Sequence, residues 1–115
     1  MIFLYSFDIQ GDGMDFVLNE KIGEDMMKYC PEYEEMLRPL VASLCDVLKR
    51  YKFDSKSDTI MTGRILDNNE FEVMLSEGLG DIIDPYTKNQ VIFESAKTIA
   101  DLLMKVMHRG TMENR

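Results

Sequence analysis

The chain has 115 residues, 45% of them hydrophobic, with 21 acidic against 13 basic residues and a formal net charge of −8. Length and apolar content fit one folded domain with its own core and exclude a disordered chain. The charge disfavours direct binding to nucleic-acid phosphates or to an anionic membrane surface, both of which would repel it, so neither is expected as a partner.

The chain opens Met-Ile-Phe-Leu-Tyr-Ser-Phe-Asp, which has no basic region before its apolar residues and so predicts no signal peptide. No apolar run approaches the ~20 residues of a membrane helix, so a cytoplasmic location is expected. Residues 2–9 alternate, with Phe3, Tyr5, Phe7 and Ile9 on one face of a predicted strand. Asp12-Gly13 is a strong hairpin signal, because both positions tolerate φ > 0. Taking it as the two-residue loop predicts Ile9 opposite Phe16, Phe3 opposite Ile22 and Asp8 opposite Val17. That register avoids setting Asp8 against Asp15, a like-charge pair. Asp8-x-Gln10-x-Asp12-Gly13 also resembles the start of a calcium loop. Asn19 stands where that loop needs a bidentate glutamate, however, so no metal site is expected.

Residues 31–52 predict a helix with an apolar stripe of Tyr33, Met36, Leu37, Leu40, Leu44, Val47, Leu48 and Tyr51. Pro31 suits its first turn, and Pro39 should kink or split it. Cys45 flanks the stripe and reads as a small buried hydrophobe. Cys30, at the helix start, could form a dipole-stabilised thiolate with a redox role or simply mark the helix entry. The two cysteines match neither a zinc site nor a disulfide framework.

Residues 58–77 predict a second hairpin with an Asp67-Asn68-Asn69 loop, pairing Ile65 with Phe71, Gly63 with Val73 and Met61 with Leu75. Arg64 then faces Glu72 on the other side, a favourable pair. A short strand at 79–83 and a turn at Asp84-Pro85-Tyr86-Thr87 follow. Residues 89–109 predict the second helix, with Ile92, Ala96, Ile99, Ala100, Leu103, Val106 and Met107 on one face and Gly110 as its cap. His108, the single histidine, reads as a cation-tolerant residue near the helix end, with no nucleophile or ligand spaced to work with it. The ten methionines are expected to fill irregular gaps in an adaptable core.

The expected fold is therefore α+β, in the order ββαββα: a four-stranded antiparallel sheet with two helices packed on one face and the other face open. Residues 1–109 form the domain and 110–115 a flexible tail. No catalytic constellation, metal site or cofactor motif is found, so an enzyme is not expected. From Ile65 through Thr87 there is no Lys or Arg, while acids are frequent. Leu4, Val17, Leu66 and Met74 should lie on the open face among those acids. The expected partner-binding surface is Leu66, Asp67, Glu70, Glu72, Met74, Glu77 and Asp81. The expected role is a small acidic binding protein that occupies a basic site on another protein. By analogy of charge and size, it would act as toxin-neutralising or phage counter-defence inhibitors of nucleic-acid-processing enzymes do. The alternative is a self-associating structural or adaptor subunit, a homodimer formed through the open sheet face or an edge strand.

Overall fold

The computed structural model describes residues 1–10, 13–53 and 59–113. Asp12 of the expected turn and the last two residues of the expected tail lie outside the described residues. Alternating aromatic and β-branched residues build strands β1 (Ile2–Gln10) and β2 (Gly13–Leu18), then β3 (Thr59–Ile65) and β4 (Phe71–Leu75). All neighbours are antiparallel and the sheet order is β2-β1-β3-β4. The α+β class and the four-stranded antiparallel sheet are as expected.

The element order is not ββαββα. Four helices occur: α1 (Glu20–Tyr29), α2 (Tyr33–Arg50), α3 (Glu77–Ile82) and α4 (Pro85–Glu113). The strand expected to run to Ile22 ends at Leu18, because Asn19 caps a helix there. Its Oδ1 accepts from the backbone N–H of Lys21 at 3.1 Å and of Ile22 at 3.4 Å. Met26 on α1 is buried, with Ile22 and Tyr29 beside it at helical spacing. Ser76 caps α3 where an extra strand was expected, and Leu79 seals its inner side. Helix α2 runs unbroken through Pro39, which faces away from the buried Leu37, Leu40, Leu44 and Val47.

Two register irregularities shape β1. Phe3 pairs with Arg64 and Tyr5 with Gly63, so Leu4 is an extra residue; a second shift falls between Phe7 and Asp8. The first bulge turns Phe3 to the outer face and lets Leu4 and Tyr5 both be buried. It corrects the expected placement of Leu4 on the open face. The second leaves Ile60 and Met61 both buried on β3.

The first hairpin also differs from expectation. Asp8 lies opposite Asp15, and Phe7 opposite Phe16. Direct opposition sets the Phe7 and Phe16 rings 4.9 Å apart, and Tyr5 meets both rings at under 6 Å. Asp8 accepts a hydrogen bond from the Thr59 hydroxyl at 2.9 Å, and water screens the two carboxylates on the outer face. Buried aromatic packing outweighs an exposed charge repulsion.

The core lies between the inner sheet face and the helices. Helices α1 and α2 both run close against α4. The buried line of α4 is Val91, Ser95, Ile99, Leu102 and Val106, rotated from the expected stripe: Ala100 and Met107 are exposed. The cause is Ser95, a polar residue that is fully buried because its hydroxyl shares a 2.8 Å hydrogen bond with Tyr5 Oη. Burial pushes the Tyr5 hydroxyl up to about 12, against the smaller lowering effect of that bond. Gly110 is not a cap. Helix α4 continues through it to Glu113, with the Tyr29 ring of α1 beside it at a distance where a Cβ would make ordinary contact. Only Met26 and Met61 among the methionines are fully buried, while six are exposed, so methionine is chiefly a surface residue here.

Candidate protein-binding surface

The β3–β4 hairpin has the register its sequence predicts, with Ile65 opposite Phe71, Gly63 opposite Val73 and Met61 opposite Leu75. Its loop closes by bonds from Leu66 N–H to the Glu70 carbonyl (2.8 Å) and from Asn69 N–H to the Leu66 carbonyl (2.9 Å). Asn69 takes the left-handed conformation, φ 67°, that asparagine tolerates. Asn68 Oδ1 accepts from Glu70 N–H.

Strand register sets the outer face in rows. Val17, Ser6, Thr62 and Met74 form one row across all four strands, and Phe3, Arg64 and Glu72 form the next. Phe3, Val17 and Met74 are each about two-fifths exposed. Leu66 and Glu70 share this face beyond the last row, with Leu66 half-buried.

The acids of this stretch do different jobs. Glu72 accepts from Arg64 Nε at 2.7 Å and so offsets a cation on this part of the face. Asp67 pairs with the N-terminal amine. Asp84 belongs to the fold: it accepts from Thr87 N–H (2.9 Å), from the Thr87 hydroxyl (2.8 Å) and from the Tyr51 hydroxyl. The Tyr51 bond, with Thr87 adding to it, holds its carboxyl down at about 2. Glu70, Glu77 and Asp81 are exposed and make no side-chain ion pair among the described residues. They do not form one cluster. Glu70 sits at the hairpin tip and Glu77 begins α3 at the far end of β4, roughly 20 Å away at strand rise. Met74 lies between them.

Other chemistries find little support. Among the described residues no three metal-ligating side chains gather. Cys30 is buried at the end of α1, and burial, with Glu32 adding to it, pushes its thiol up rather than down. That corrects the dipole-stabilised thiolate. Cys30 closes the C-terminal end of α1 through its backbone N–H to the Met26 carbonyl, and α2 begins only at Tyr33, so it is a helix-exit residue and not the expected helix entry. His108 lies exposed on α4, whose end is five residues further on. A shallow recess of about 350 Å³ between α2 and α4 is lined by Pro39, Ser43, Glu94, Lys97 and Asp101, among others, without a nucleophile paired to a base. Among the described residues, no helix is long and apolar enough to cross a membrane.

A second surface was not foreseen. Leu4, Ile65 and Phe71 face Ala100, Leu103, Met104 and Met107 across an entirely apolar cleft of about 280 Å³. The bulge at Leu4 and the rotation of α4 create it, and neither shows in simple periodicity.

The chain matches no family model, no curated protein and no solved structure in these comparisons.

Proposed function

We propose that the chain is a non-enzymatic binding protein that occupies a basic site on another protein, with β4 and its two flanking acidic ends as the contact surface. The observation that carries this reading is the trio of exposed, unpaired acids Glu70, Glu77 and Asp81 on either side of Met74, which is 45% exposed. No Lys or Arg lies between Ile65 and Thr87, and Arg64 beside them is already neutralised by Glu72. Rim acids of this kind steer encounter, while an apolar residue between them holds the complex. An inhibitor of a nucleic-acid-processing enzyme would use such a surface against the enzyme's basic groove. A cytoplasmic setting agrees with two free cysteines.

The test begins with affinity isolation from the native cell and identification of the captured protein, followed by binding kinetics with that purified protein at two salt concentrations. Glu70→Lys with Asp81→Lys should slow association and flatten its salt dependence. Met74→Asp should speed dissociation. Glu35→Lys, exposed on α2, serves as the charge control. Equal losses from control and test variants would show that net charge alone acts and would sink the assigned surface.

A further inference from the structure

Strand β4 is an edge of the sheet, and its ladder to β3 fixes which of its backbone groups are occupied. Leu66 N–H donates to the Glu70 carbonyl at 2.8 Å and Ser76 N–H to the Ile60 carbonyl at 2.9 Å, and the register between these two bonds is unbroken. Bonds in an antiparallel ladder alternate. Glu72 and Met74 therefore turn their N–H and C=O groups to β3, while Phe71, Val73 and Leu75 turn theirs away. Among the described residues no hydrogen bond reaches these outward groups. Free edges are commonly guarded by Lys, Pro or a bulge, and β4 has none of them. An extended chain laid alongside it would complete the ladder.

The side chains of β4 say what that chain must carry. On the outer face its residues fall, at every second position, beside Glu70, Glu72 and Met74. Glu70 is exposed and makes no ion pair among the described residues. The bonds from Arg64 to Glu72 both end on Oε1, which leaves Oε2 to accept from a further cation. Met74 is 45% exposed. On the inner face the added residues fall beside Phe71, 40% exposed, and half-buried Val73 and Leu75. The fitting segment thus has Lys or Arg beside the two glutamates and apolar residues beside Met74 and along the inner side. A second copy of β4 does not meet this description. It brings Glu70 and Glu72 again, and no Lys or Arg occurs between Ile65 and Thr87.

We infer that the basic partner contributes an extended segment that joins the four-stranded sheet as an added strand, antiparallel to β4. The outward backbone groups of Phe71, Val73 and Leu75 hold it, and Glu70 and Glu72 select it. Main-chain bonds supply the hold in this mode, and alternate side chains supply the choice. The inference rests on the reading of β4 as the contact surface, and adds the way in which the partner is held there.

The test uses the whole chain and a synthetic peptide with blocked ends, Thr-Leu-Val-Lys-Val-Lys-Thr, at millimolar concentration, followed by amide NMR and hydrogen exchange. Antiparallel pairing sets its leucine beside Met74 and its lysines beside Glu72 and Glu70. At about 90% occupancy, exchange at Phe71, Val73 and Leu75 should slow about tenfold, because only the free fraction exchanges. Glu72 and Met74, already bonded to β3, should change little. N-methylation of the first valine, whose N–H faces Val73, should weaken binding about tenfold or more. N-methylation of the lysine after it, whose N–H points away from β4, should leave binding within about threefold of the parent peptide. Replacing both lysines by glutamate should abolish binding. Two N-methyl peptides that bind alike, or unchanged exchange at the three outward amides while Glu70 and Met74 still respond in a salt-dependent way, would overturn the added strand and leave the acidic surface standing. Equal binding of the glutamate peptide would overturn the basic occupant. Slowed exchange at the same amides without peptide, rising with protein concentration, would make a second copy the occupant and overturn the inference. So would protection confined to Met14, Phe16 and Leu18 on the other edge, or a peptide that binds nowhere at millimolar concentration. In that last case the surface itself is decided separately, by the kinetics of the captured partner.

Discussion

Gly63 and Asp84 show how single residues fix this structure. A Cβ built on Gly63 would stand 2.0 Å from the Tyr5 ring, which is itself fully buried and bonded to Ser95. The glycine is required by contact with that ring and not by its backbone angles. Gly63→Ala should therefore destabilise the fold at or above the upper end of the roughly 1–3 kcal/mol usual for overpacking. Chemical denaturation measures this, and a loss below half a unit would show that the ring moves aside easily. Asp84 ties the end of α2 to the start of α4 through Tyr51 and Thr87. Its carboxyl lies at about 2, below the ordinary 3.8, so its charged form is favoured by folding. Its contribution is complete above the ordinary value and is lost as pH falls from about 4 through about 2. Asp84→Asn should lower the melting temperature at neutral pH, and the gap to wild type should close across that acid window. A gap that stays constant down to pH 2 would mean that the ionised form is not what the fold uses.

Among the elements, those with one dominant signal were legible in the sequence. The second hairpin could be read to the residue because the loop, the cross-strand apolar pairs and the Arg64–Glu72 pair all select the same register. The stripe of α2 was equally clear, and Leu44, 1% exposed, sits at its centre. Leu44→Ala should cost about 2–5 kcal/mol, read from the denaturation midpoint, and a near-neutral result would remove α2 from the core. Elements whose signals conflict were not legible. Helix α1 was hidden by Gly23 and by a strand pattern running up to it, although Asn19 before Ile22 and Met26 was a usable cap signal. The start of α4 was read as a turn, yet Asp84 before Pro85 is a cap ahead of a first-turn proline. The face of α4 was misjudged because Ser95 counts as polar by composition and becomes buried only through Tyr5, 90 residues away in sequence. No local pattern carries that partnership.

For the molecule as a whole, class and sheet follow from the patterning, whereas the distribution of surface depends on two bulges and one rotated helix. The acidic surface on β4 was partly visible, since the absence of Lys and Arg is a property of sequence alone. Its division into a hairpin tip and a distant α3 required the fold. Sheet order has a further consequence, in the time domain. Strand β1 lies between β2, its immediate successor, and β3, and its Tyr5 waits for a serine in the last helix. At roughly 5–20 residues per second of synthesis, those 90 residues take the ribosome about 5–18 s. For the first part of that interval the nascent first hairpin presents Tyr5, Phe7 and Phe16 without β3, and to its end without α4. The aromatic cluster at the centre of the finished core is thus among the first parts of the chain to be made and among the last to be completed.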